Sequence, residues 1–376
     1  MTATVSRPPR AALPEGGRHR LRIGELRTET GGVLPDVELA YETWGELDAD
    51  GSNAVLVLHA LTGDSHVAAH AADPTPGWWD ALVGPGRAVD TDRWFVVAPN
   101  MVGGCHGSTG PSSPAADGRP WGSRFPFLTL RDAVAAERRL ADHLGVGAWQ
   151  AVIGGSMGGA RALEWAATHP ERVAGVGVLA ATARSSADQI AWGQAQTAAI
   201  RLDPGFLGGD YYEGAGPAAG LGIARRIAHT TYRTAGELEH RFGRSPQGAE
   251  DPFGAVVGVP GGRGRYAVES YLDHQATKLT GRFDANSYLL LTEALMGHDV
   301  GRGRGGVEAA LAGYRGRAFV AAVDSDRLYL PAESQALAAV LPARPPVHTI
   351  VSPIGHDGFL TEYGQVADAL RDSLAL

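Results

Sequence analysis

The chain has 376 residues, 44% hydrophobic and 20% charged, a globular composition that excludes wholesale disorder, a fibrous repeat and a coiled coil. A net charge of -8 argues against a protein that neutralises many phosphates, so nucleic acid is not an expected partner. The single cysteine, Cys105, excludes an internal disulfide and a cysteine metal cluster. No apolar run reaches the ~18–20 residues of a membrane span, and the first residues lack the apolar segment of a signal peptide, so a cytoplasmic location without membrane contact is expected.

Residues 1–20, with Pro8, Pro9, Pro14, Gly16 and Gly17, read as a flexible tail. Short strands are then predicted at 37–43, 54–58, 94–98, 148–153 and 173–179. The later ones are almost continuously apolar, as parallel strands buried on both faces require. Between the third and fourth, Leu130, Ala133, Val134, Leu140, Ala141 and Leu144 supply the apolar positions of a helix. Thr129 and Asp132 have capping-box spacing at its start, and Gly145 stops it.

From about residue 181 the rhythm turns helical, at 185–202, 218–228, 235–242, 266–279 and 287–295, with Gly/Pro loops between. The strand pattern returns at 318–323 and 347–351, and an amphipathic helix runs from 361 to about 374. Strands alternating with helices predict an α/β fold with a mostly parallel, doubly wound sheet. Its core is expected at 21–181 and 300–376, interrupted by a helical cap at 182–299.

Gly154-Gly155-Ser156-Met157-Gly158 follows a predicted strand and precedes a helical stretch at 160–169. In that context, a nucleophile elbow, small residues flank a serine whose Oγ is exposed on a sharp turn. A serine hydroxyl is a poor nucleophile at neutral pH and needs a base oriented by a carboxylate. Asp326 and His356 follow the two returning strands, and the order Ser, Asp, His, each beyond a strand end, is that of the α/β-hydrolase fold. Asp324 competes for the carboxylate role; Asp326 is preferred because it falls in the loop rather than at the strand end. The oxyanion needs two backbone N–H donors, assigned to Met157 and to Leu61 in the loop after the strand at 54–58. His59, at that strand's end, is read as structural, and Cys105 as a packing residue. No metal-ligand cluster or phosphate loop is visible, so no metal and no permanently bound cofactor is expected.

Together His59 to Val67, Asn100 to Ser112, Gly154 to Gly159, Leu221 to Tyr232, Ser270 to Leu272, Arg282 to Tyr288 and Asp326 to Tyr329 resemble the homoserine O-acetyltransferases of the α/β-hydrolase superfamily. The resemblance implies acetyl transfer from acetyl-CoA to L-homoserine in methionine biosynthesis, by a ping-pong route through an acetyl-serine, and a homodimer. It places Ser156, Asp326 and His356 in the triad and Arg225 and Asp357 at the amino-acid substrate. A guanidinium suits the carboxylate of that zwitterion and an aspartate its ammonium. Arg226 is the competing residue. Tyr232 lines the same pocket if the helix of Arg225 continues that far. A homoserine O-succinyltransferase or serine O-acyltransferase would share this chemistry, whereas a plain serine esterase would need no charged clamp.

Overall fold

Strand positions in the computed structural model, which describes residues 17–255, 262–374 and 376, follow from two kinds of sequence. Chain order begins with β1 (His19–Arg27), β2 (Val33–Trp44), β3 (Ala54–Leu58), the two-residue pair β4 (Val83–Gly84) and β5 (Val89–Asp90), and β6 (Phe95–Pro99). It continues through α1 (Leu130–Leu144), β7 (Ala151–Gly155), α2 (Met157–Thr168) and β8 (Gly175–Leu179). After a helical segment come β9 (Arg317–Val323), and later β10 (Val347–Ile350). The main sheet has the order β1-β2-β6-β3-β7-β8-β9-β10. From β6 to β10 every neighbouring pair is parallel, and β2 is antiparallel to both β6 and β1.

The parallel strands are apolar because both faces are covered. β3, β6, β7 and β8 are buried along their whole length. Leu56 and Val152 turn to the side covered by α1 and α2, while Val55, Val57 and Ile153 turn to the other, where Val366 and Leu370 of the last helix cover them. Burying each such side chain contributes about 1.5–3 kcal/mol of transfer free energy. The edge pair β1–β2 is different: β1 alternates charged and apolar residues. The tail expected at 1–20 therefore ends too late, because His19 and Arg20 already pair with Tyr41 and Ala40 of β2. Residues 1–16 lie outside the described residues.

Between β8 and β9 the chain forms α3 (Ala187–Arg201), α4 (Ala218–Tyr232), α5 (Ala235–Phe242), α6 (Ala267–Thr280), α7 (Ala285–Met296) and α8 (Val307–Leu311). The expected capping box of α1 is present, Thr129 accepting from Asp132. The helix expected at 218–228 continues four residues further, to Tyr232. Three helices close the chain: α9 (Pro331–Val340), which the sequence pattern did not reveal, α10 (Gly358–Thr361) and α11 (Tyr363–Leu374). Ile200, Leu221, Ala224 and Tyr288 of the helical segment pack in one apolar cluster with Leu61, Met157 and Ala160, so these helices sit directly on the serine turn. Among the described residues no helix is long and apolar enough to cross a membrane.

Candidate active site

Ser156 occupies the turn between β7 and α2 with φ 56° and ψ −125°, a left-handed conformation that costs a residue with a Cβ ~1–3 kcal/mol. The surrounding backbone imposes it. A Cβ on Gly158 would stand 2.0 Å from the Leu58 carbonyl oxygen, and one on Gly154 would stand 2.4 Å from the Gly158 carbonyl carbon. Only glycine lets α2 start this close to β3 and β7, and that approach lifts the serine hydroxyl above the strand ends.

The three expected partners meet there. His356 Nε2 lies 3.0 Å from Ser156 Oγ, and His356 Nδ1 lies 2.7 Å from Asp326 Oδ2. The other oxygen of Asp326 accepts the backbone N–H groups of Leu328 and Tyr329 at 2.8 and 2.9 Å, which fixes the carboxylate plane. Asp324 is occupied elsewhere, accepting the Ser352 N–H at 3.0 Å. Burial opposes a charged His356 ring, but the charge and hydrogen bond of Asp326, with the charge of Asp357, outweigh it and hold the pKa above the ordinary histidine value. Tyr329 stacks on the imidazole with ring centroids 5.1 Å apart, and Phe359 meets it edge-on at 5.5 Å.

Among the described residues, neither Leu61 N–H nor Met157 N–H is spent on a backbone acceptor, as an oxyanion site requires. The loop that carries Leu61 is braced from below. His59 Nε2 accepts the Met101 N–H at 3.0 Å while Nδ1, 2.7 Å from the Ala60 oxygen, donates to it, so the ring is a neutral Nδ1–H tautomer. Burial, reinforced by the charge of Arg161, lowers its pKa to about 3. Arg161, fully buried, pairs with Glu137 of α1, which also accepts Trp165 Nε1–H at 2.7 Å. From above, Arg282 donates to the Thr62 carbonyl at 3.0 Å, linking the helical segment to the same loop.

A cavity of about 140 Å³ opens at the serine, lined by Leu61, Thr62, Ser156, Arg225, Tyr232, His356 and Asp357. The guanidinium of Arg225 stands 5.9 Å from the centroid of Tyr232, and among the described residues its only hydrogen bond is a long one, 3.5 Å, to Thr62 Oγ1. Its Nε is buried without a partner among the described residues. Arg226 is not free in this way, since Asp273 takes it at 2.7 Å. Asp357 faces Arg233 at 3.2 Å. A second cavity of about 50 Å³ reaches Ser156 from the other side, between Trp192, Gln196, Leu328 and Tyr329. It shares Ser185 and Met296 with an outer groove of about 760 Å³ along α3 and α9.

Sequence reasoning missed Tyr329 and Thr62 as members of this site, and Arg233 as the partner of Asp357 behind it. Tyr329 and Thr62 lay inside motifs already singled out, next to named residues; Arg233 lies one residue past the end of one. Burial raises the Cys105 thiol to about 11, which disfavours the thiolate a nucleophile needs.

One further cluster, Glu42, His66 and His70, has metal-ligating side chains close together. His70 Nδ1 accepts the N–H groups of Ala72 and Asp73, so its proton sits on Nε2, pointing at Glu42 at 3.1 Å. A metal on that nitrogen would force a proton onto Nδ1 against two N–H donors, so this cluster is a hydrogen-bonded ion group instead.

The α/β hydrolase fold family model matches residues 53–363. Among curated relatives, the homoserine O-acetyltransferase of Thermobifida fusca strain YX is 59% identical over 96% of this chain and 95% of its own length. Among solved structures, a homoserine O-acetyltransferase from Bacillus anthracis superposes with a TM-score of 0.87 at 25% identity, over 96% of this chain and 98% of that one. An esterase, E22, superposes with a TM-score of 0.86 at 26% identity, over 95% and 99% of the two chains.

Proposed function

Because the chain belongs to the homoserine O-acetyltransferase family of α/β hydrolases, enzymes of acetyl transfer to L-homoserine, we propose that its acetyl group passes through Ser156. Acetyl-CoA is the donor. Ser156 Oγ bonds to the thioester carbonyl carbon as His356 Nε2 takes its proton. Leu61 and Met157 N–H groups hold the oxyanion, and the carbon–sulfur bond breaks as the proton passes to the CoA thiolate. Homoserine then enters with its carboxylate on Arg225, its ammonium on Asp357 and its stem along Tyr232. His356 removes the hydroxyl proton, the new ester bond forms, and the proton returns to Ser156 Oγ as it leaves. The 182–299 segment caps the site and keeps water from competing for the acyl-enzyme.

The observation that carries this reading is the Ser156–His356–Asp326 relay opening into one cavity with Arg225 and Asp357. Esterases share the relay, so hydrolysis is the competing fate of the same intermediate. Intact-mass measurement after mixing with acetyl-CoA and no acceptor should find one acetyl group, which homoserine discharges and water leaves in place. Ser156→Ala should gain none; acetylation of that variant at an active-site residue refutes the assignment. We further propose a cytoplasmic homodimer, the dimer being measurable by light scattering.

A further inference from the structure

The junction between α4 and α5 is bolted to the loop that carries the catalytic histidine. Thr234 N–H donates to the Ile354 carbonyl at 3.1 Å, and Thr234 Oγ1 donates to the Pro353 carbonyl at 2.6 Å. Gly355, with φ 96°, lies so close that a Cβ there would stand 2.7 Å from the Tyr232 carbonyl oxygen. Arg233, between those two α4–α5 residues, meets Asp357 Oδ2 at 3.2 Å and Glu237 at 3.7 Å. Both members of the Arg233–Asp357 pair are largely sheltered, their side chains 16% and 17% exposed.

The geometry points to Arg233 as a positioning residue for the acceptor: its guanidinium turns and balances the Asp357 carboxylate at the cavity wall, and it does so from the C-terminal end of the helix that carries Arg225 and Tyr232. This inference rests on the reading of Asp357 as the ammonium partner. A carboxylate offered to an incoming cation must stay ionised while the cavity is empty, and a sheltered one does so poorly alone. Burial pushes the Asp357 carboxyl above its ordinary range, and Arg233 is the largest charge opposing that, ahead of His356 and Arg225. The groups facing it are Arg225, Tyr232 and Arg233 from α4 and its end, His356 on its own loop, Asp326 beyond β9 and Tyr271 of α6. Arg233 does not itself line the cavity, so it acts on the acceptor through Asp357.

The test is the two half-reactions of Arg233→Gln, measured against pH. Acylation by acetyl-CoA should stay within about twofold of wild type, while KM for homoserine rises roughly 10- to 100-fold, as expected for losing one member of a sheltered charge pair. The acid side of kcat/KM for homoserine, set by His356 in the wild type, should fall more steeply as pH drops, because Asp357 without Arg233 loses its charge sooner and adds its own protonation, a step that kcat/KM for acetyl-CoA does not show. Arg233→Lys should recover most of the homoserine KM. If Arg233→Gln does not fold, Arg233→Met is read by the same criteria, since it keeps the stem and removes the charge. An unchanged homoserine KM, or equal slowing of both half-reactions, overturns the inference. Asp357→Asn separates the two levels: if it too leaves homoserine capture intact, the ammonium role of Asp357 fails; if it abolishes capture while the Arg233 variants do not, only the role of Arg233 fails.

Discussion

The two sides of His356 are built on opposite plans. On the side of Asp326 every polar atom is engaged: one carboxylate oxygen holds the imidazole, the other holds two backbone N–H groups, and the serine lies 3.0 Å beyond. On the side of Asp357 the groups are under-engaged: among the described residues a buried Arg225 Nε has no partner and the aspartate is held by a single sheltered arginine. The first arrangement suits charge that appears and disappears within the protein, since nothing must be dismantled during the reaction. The second suits charge that arrives with a ligand, since buried donors left unsatisfied are bonds reserved for it. A symmetric pair of fully satisfied aspartates would leave the amino acid nothing to bind.

Three measurements sharpen or break that contrast. The largest effect is expected at Asp326→Asn, which keeps the shape but removes the charge that orients and supports the imidazolium: kcat should fall by on the order of 10³–10⁴ in both half-reactions alike. Equal loss in both is the signature of the engaged side, and a defect confined to homoserine would erase the distinction. Next is Arg225→Ala, expected to discharge the acetyl-enzyme to homoserine roughly 30- to 1000-fold more slowly while acylating near the wild-type rate. Slowed acylation would make Arg225 a donor-binding or structural residue. The smallest effect is on pH. The base works only as neutral imidazole, and Asp326 holds the His356 pKa above 6.5, so kcat/KM for acetyl-CoA should decline as pH falls through a value above 6.5. A limb centred clearly below that would mean that burial of the ring outweighs the charge of Asp326.

The engaged side was the legible one. Ser156 and Asp326 each follow an apolar run recognisable as a buried parallel strand and His356 follows the shorter edge strand β10, so position and chain order identified them together. The helix of Arg225 was legible too, but only resemblance distinguished Arg225 from Arg226; in three dimensions Asp273 takes the latter. Arg233 could not be found because its meaning depends on a partner more than a hundred residues away, across a helix end with no local signature. β1 was hidden for another reason: its alternating charges, directly after a Gly/Pro-rich stretch, look like tail until β2 pairs with it. α9 was missed because its Ala-rich sequence offers little apolar stripe.

The left-handed backbone at Ser156 also bears on chains that are still folding. That conformation is tolerable only once β3, β7 and α2 have closed around the glycines on either side, so the nucleophile comes into being with the finished core. A copy whose core has not closed lacks the backbone that holds Ser156 Oγ 3.0 Å from His356 Nε2.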